Sequence, residues 1–125
     1  MRFAVLAAAF GLAALSGATL AAEPVRYGGE ATLDACAGSG WVSGLNPRGD
    51  NYLSVRAAPT TRGRELARLG PGTDVIICDE RGRWLGIVYG GGDCGTSSPV
   101  AQRQPYPGPC ASGWVFDKYV TPGAG

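Results

Sequence analysis

Thr73-Asp74-Val75-Ile76-Ile77-Cys78-Asp79-Glu80-Arg81-Gly82-Arg83-Trp84-Leu85-Gly86-Ile87-Val88-Tyr89 carries the decisive pattern of this 125-residue chain. Two short apolar runs, Val75–Cys78 and Trp84–Tyr89, are rich in β-branched and aromatic side chains and flank a charged, glycine-bearing turn. That arrangement predicts a β-hairpin. Upstream, Leu66–Leu69 is stopped by Gly70-Pro71-Gly72. Before it, Tyr52–Arg56 alternates Leu53 and Val55 against Tyr52, Ser54 and Arg56, and stops at Ala57-Ala58-Pro59-Thr60. Gly40–Leu45 ends in the turn formers Asn46-Pro47-Arg48-Gly49-Asp50-Asn51, and Trp114–Val120 closes the series. No stretch beyond residue 22 keeps an apolar period near 3.6 for three turns. Short strands at short spacing predict an all-β domain, a sandwich or small barrel.

The first residues predict export. Met1-Arg2 is followed by Phe3–Leu15 without a polar side chain, then by Ser16, Gly17, Thr19 and the small-residue end Leu20-Ala21-Ala22 before Glu23-Pro24. This is the order of a secretory signal, with cleavage expected after Ala22. The competing reading is an uncleaved anchor, since Phe3–Ala22 just reaches the roughly 20 apolar residues of a membrane span. Cleavage leaves no stable span and places the chain in the periplasm or outside the cell. No cysteine stands at the junction, which argues against a lipid anchor.

Cys36, Cys78, Cys94 and Cys110 all follow that junction. An even count in a short exported chain predicts a disulfide framework. Zinc is the alternative, but spacings of 42, 16 and 16 residues provide no close cysteine pair and the chain has no histidine. Gly90–Ser112 spans 23 residues with no clear strand, and Cys94 and Cys110 bracket most of it. A loop of this size is usually functional or disordered. A bridge at its base gains on the order of 3 kcal/mol from chain closure. That favours Cys94–Cys110, leaving Cys36–Cys78, although four cysteines allow three connectivities.

Without Arg2 the chain has ten basic residues, nine Arg and Lys118, against ten acidic ones. A net charge of zero with scattered arginines provides no basic patch, so no nucleic-acid partner is expected. Cys36 before Ser39-Gly40-Trp41-Val42 echoes Cys110 before Ser112-Gly113-Trp114-Val115. Either duplication or chance recurrence of a strand opening on Gly-Trp accounts for it.

Four motifs in order resemble the bacterial SH3 domain over about Asn51–Val120. Leu53-Ser54-Val55-Arg56-Ala57-Ala58-Pro59-Thr60 is similar to its opening Leu-x-Val-Arg-x-x-Pro-(Ser/Thr). Leu69-Gly70-Pro71-Gly72-Thr73-Asp74-Val75 resembles its Leu-x-x-Gly-x-x-Val turn and strand. Gly82-Arg83-Trp84-Leu85-Gly86-Ile87 resembles Gly-x-Trp-x-x-Val, and Gly113-Trp114-Val115 with Tyr119-Val120 is similar to the closing motifs. The resemblance implies a small SH3-like barrel over 51–122 with a loop insertion at 90–112. An N-terminal extension over 23–50 adds a strand. The residues support the same picture on their own: Leu53 and Val55 share a strand face, Pro59 ends a ladder, and Trp84 and Trp114 are large enough to dominate a small core.

Catalytic machinery is not apparent. Serine or cysteine nucleophiles need a base, and histidine is absent. The adjacent carboxylates Asp79-Glu80 read as solvated turn residues. Gly90-Gly91-Gly92-Asp93 lacks the lysine and helix of a phosphate loop, and Arg48-Gly49-Asp50 reads as a turn. No enzyme activity, metal or cofactor is expected. The resemblance implies instead a binding module for a peptidoglycan peptide or an envelope protein. Tyr52, Trp84, Tyr89, Tyr106 and Tyr119 are the expected contacts, because tyrosine and tryptophan offer apolar area with a polar tip. A second expectation is a structural or inhibitory protein whose Gln104-Pro105-Tyr106-Pro107-Gly108-Pro109 segment fills its own groove against Trp84 or Tyr89.

Overall fold

A computed structural model describes residues 20–123. Its strands are β1 (Arg26–Tyr27), β2 (Gly38–Val42), β3 (Leu53–Arg56), β4 (Glu65–Leu69), β5 (Asp74–Arg81), β6 (Trp84–Tyr89), β7 (Gln104–Pro105), β8 (Ala111–Phe116) and β9 (Val120–Pro122). The one helical element among these residues is a 3-10 turn at Asp117–Tyr119. The protein is all-β. The expected leader, 1–22, lies outside the described residues except for 20–22. No helix among the described residues is long and apolar enough to cross a membrane.

Seven strands form one antiparallel sheet in the order β4-β3-β8-β6-β5-β2-β9. The β5–β6 hairpin stands as predicted. Arg81 pairs with Trp84, so the connection is the two-residue turn Gly82-Arg83. Gly82 has φ +57° and Arg83 is not in the positive region, the pattern of a turn that needs glycine first. The expected run Trp114–Val120 is instead cut by the 3-10 turn, which carries the chain from β8 to β9. Four strand spacings separate these strands in the sheet order, about 19 Å if the sheet were flat. A three-residue 3-10 turn rises only about 6 Å. The sheet must therefore curl.

Curling gives all seven strands a common core of Val42, Leu53, Val55, Leu69, Val75, Ile87, Val115 and Val120. The sheet nevertheless does not close into the expected barrel, because no ladder joins the edge strands β4 and β9. β9 is three residues long and ends on Pro122, which has no N–H to donate. The added N-terminal strand is β2. It lies inside the sheet, between β5 and β9.

The opposite face of the sheet carries a second packed layer. Trp114 is fully buried, yet it alternates with Val115 and so points away from the common core. The segment Glu23–Tyr27 covers it. The indole N–H donates to the Glu23 carbonyl at 2.8 Å, and the Glu23 N–H donates to Ala57 O at 2.9 Å. Gly86 faces Trp114 across the ladder and lacks a side chain where space is shortest. A Cβ there would come within 2.7 Å of the Asp79 Cβ and 3.0 Å of Val25.

The long loop is tied into this layer rather than left free. β7, from the Pro-rich part of the loop, pairs with β1, and Tyr27 meets Tyr106 edge-to-face at 5.3 Å. Tyr27, Ala35 and Cys36 make a small second core with Cys78, Val100 and Tyr106. Both disulfides, Cys36–Cys78 and Cys94–Cys110, are present. Cys78 sits where the β5–β6 register shifts between Ile77 and Asp79, a bulge that re-aims side chains. Asp79 is buried within β5 and is not a solvated turn residue. Its carboxylate accepts from the Arg26 and Glu80 backbone N–H groups and from Arg103.

Candidate functional site

A groove of about 690 Å³ opens where the start of β3, the start of β6, the end of β8 and the 3-10 turn converge. Trp84 opens β6 and Phe116 closes β8, and the two are register partners. Their rings meet edge-to-face at 5.5 Å, and Phe116 lies 6.5 Å from Tyr119, which ends the 3-10 turn. Tyr52 completes the aromatic lining, with Leu45 and Leu53 beside it. All four aromatic residues are half-buried, so part of each ring faces solvent. The break between β8 and β9 therefore has a local effect: it turns Tyr119 into the groove beside Phe116.

Cations stand against these rings. The Arg68 guanidinium lies 4.3 Å from the centre of the Tyr52 ring and that of Arg83 lies 4.7 Å from Phe116, both within cation–π range. Each arginine is also held by a carboxylate, Arg68 by Glu65 at 2.7 Å and Arg83 by Asp117 at 3.0 Å. Glu65 accepts a further hydrogen bond from the Ser54 hydroxyl. That bond first, and the one from Arg68 second, hold the Glu65 carboxyl below the usual carboxylate range. Glu65 in turn raises the Arg68 pKa.

A second, smaller groove of about 370 Å³ lies between Trp41, Tyr89, Ile76 and the glycines Gly91 and Gly92 at the start of the loop. Trp41 is 41% exposed, whereas Trp114, its counterpart in the Gly-Trp-Val echo, is 0% exposed. The two echoes occupy different environments. Partial burial raises the Tyr89 pKa.

The five expected contact residues are thus divided. Tyr52, Trp84 and Tyr119 share the larger groove and Tyr89 lines the smaller one. Tyr106 lines neither. Its hydroxyl donates to Cys94 O at 2.6 Å and accepts from the Cys110 N–H at 3.1 Å, locking the base of the loop beside the disulfide. No residue of the Pro-rich segment 104–109 lines either groove, because that segment is taken up by β1 and Tyr27. Sequence reasoning did not select Phe116, Asp50, Arg56, Glu65 or Lys118. For Phe116 a signal existed: it stands two residues after Trp114 in the same strand, on the same face.

Among the described residues no three His, Cys, Asp or Glu side chains gather as metal ligands, and no buried side-chain polar atom lacks a partner. What the groove offers is aromatic area, a polar tip on Tyr52, Trp84 and Tyr119, and charges on its walls. No protein-family model, no curated protein and no solved structure matches this chain.

Proposed function

We propose that this chain is an exported, non-catalytic binding module of the bacterial SH3 type, whose aromatic groove takes a peptide of the cell wall or of an envelope protein. The observation that carries the reading is the gathering of Tyr52, Trp84, Phe116 and Tyr119 around one groove of about 690 Å³. That volume falls in the range of ligand sites, and rigid aromatic anchors supply much of the energy at recognition surfaces. The order of the four SH3-like motifs supports the family. Two disulfides are compatible with an oxidising compartment and hence with a periplasmic or secreted protein. The absence of histidine removes the usual base of serine and cysteine hydrolases. A self-filled groove has less support, since residues 104–109 line neither groove.

The test is sedimentation with purified cell-wall sacculi, together with affinity capture from envelope extract. The oxidised protein is expected to pellet with sacculi or to retain an envelope protein, and Trp84→Ala with Phe116→Ala is expected to abolish that retention. Retention unchanged by the double substitution would remove the groove from the reading. No retention in either experiment would remove the reading itself.

A further inference from the structure

The inference here rests on the groove reading above and adds the chemical character of the ligand. Two carboxylates, Asp50 and Glu65, and two cations, Arg56 and Lys118, line the aromatic groove. Glu65 is already engaged by the Ser54 hydroxyl and by Arg68, which stands behind Tyr52 and outside the lining. Arg56 donates one N–H to the Gly63 carbonyl at 3.0 Å and takes part in no ion pair among the described residues. Lys118 is exposed, likewise outside every ion pair among those residues, and holds its ammonium 5.7 Å from the centre of the Tyr119 ring. Asp50 is exposed and is the wall carboxylate left without an ion pair there. Two cations therefore face one anion once the internal pair is set aside.

A cleft with low-dielectric walls focuses the field of its charges, and that field selects partners by sign. We infer that the ligand is an acidic peptide, with more carboxylates than ammonium groups. Its carboxylates meet Lys118 and Arg56, and its apolar part lies on Trp84, Phe116 and Tyr119. Asp50 admits one cationic group of the same ligand. A basic peptide would leave Lys118 unanswered and Arg56 with only the already engaged Glu65 near it, and would place its own charge against both, which is the arrangement specificity works against.

The probe is the stem tetrapeptide released from sacculi, used free and with its carboxylates amidated, titrated into the oxidised protein and followed by nuclear magnetic resonance. The free form is expected to shift the Trp84 indole N–H and the Tyr119 amide. It should bind about tenfold more tightly than the amidated form at low salt. The gap should close near roughly 0.5 M salt, where charges are screened within a few Å. Lys118→Gln and Arg56→Gln should each weaken the free form about two- to fivefold, the worth of one partly exposed ion pair, and leave the amidated form unchanged. Asp50→Asn should weaken the free form by a similar factor, because it removes the partner of the ligand's ammonium group. Equal affinity for the two forms, or no effect of Lys118→Gln, overturns the acidic ligand while leaving the groove in use. Titrations that move neither Trp84 nor Tyr119 overturn the acidic cell-wall ligand, and the groove reading then stands or falls on the envelope capture.

Discussion

Arg103 in the long loop reaches the buried Asp79 carboxylate of β5 at 2.6 Å, across 24 positions of sequence. The same carboxylate accepts from the backbone of Arg26 and of Glu80. One side chain thus joins the hairpin, the N-terminal segment and the loop. The two partners are unequal, because Arg103 is 45% exposed and Asp79 only 5%. Asp79→Ala leaves two backbone donors unanswered and should cost about 2–3 kcal/mol. Arg103→Ala leaves the carboxylate its two backbone donors and should cost about 1 kcal/mol after allowance for solvent screening. Urea unfolding of the two variants checks the order. Equal losses would mean that the carboxylate is not the hub.

Close approach at Gly86 provides a steric test. Gly86→Ala forces a Cβ to within 2.7 Å of the Asp79 Cβ, between two strands that cannot easily part. Overpacking of this kind costs about 1–3 kcal/mol. Gly70 meets nothing within 4 Å and lies outside the positive-φ region. Gly70→Ala is therefore expected to leave the thermal midpoint unchanged or slightly raised. A Gly86→Ala protein as stable as the parent would show that Trp114 and Val25 can yield.

The two bridges should contribute unequally. Cys36–Cys78 closes 42 residues and Cys94–Cys110 closes 16. Chain-closure entropy then assigns about 4 kcal/mol to the first and about 3 kcal/mol to the second. Paired serine substitutions, compared by denaturant unfolding, should fall in that order. Tyr106→Phe removes two further ties at the base of the shorter loop and should deepen the loss in the Cys94–Cys110 variant. An unaffected Tyr106→Phe variant would place the hydroxyl outside the loop's support.

The titration of Glu65 has a definite sign. Its folded pKa lies below the ordinary 4.5 because the charged form is hydrogen-bonded by Ser54 and by Arg68. The stabilisation is therefore complete above the unfolded value and is lost as pH falls through the lower folded one. Carboxyl chemical shifts should place the Glu65 midpoint below 4.5, and Ser54→Ala should move it upward. A midpoint at 4.5 or higher in the parent would contradict the Ser54–Glu65–Arg68 arrangement.

Much of the sheet was legible because its signals are local. The β5–β6 turn needs only glycine between two apolar runs, and the alternation of Leu53 and Val55 points them into one core. Loop length favoured Cys94–Cys110 without excluding the other connectivities, Cys36–Cys78 was the pair left over, and both bridges are present. The side of the sheet on which a residue lies was less legible. Trp114 reads as a core tryptophan and is fully buried, but its cover comes from Glu23–Tyr27, about ninety positions away. Asp79 reads as a polar turn residue because its acidity is visible in sequence and its three donors are not. The 3-10 break at Asp117–Tyr119 reads as part of one strand from Trp114 to Val120, although the charged pair Asp117-Lys118 between two apolar runs marks it. With it went the reason that Tyr119 and Phe116 share a groove. Tyr106 was selected for its chemistry, and a T-shaped contact with Tyr27 and two backbone partners use that chemistry internally.

The position of β2 sets the limits of the smallest piece of chain able to fold. β9 touches the sheet only through β2, and β5 has β2 as its second neighbour. A fragment beginning at residue 51, where the SH3-like motifs start, would strip β9 of its only ladder and uncover one flank of the central hairpin. It would also remove Cys36 and leave Cys78 a lone thiol. Whatever the ancestry of the motif-bearing half, the cooperative unit extends upstream through Gly38–Val42 and back to the strap over Trp114, and shortened expression clones must begin ahead of Glu23 or at it.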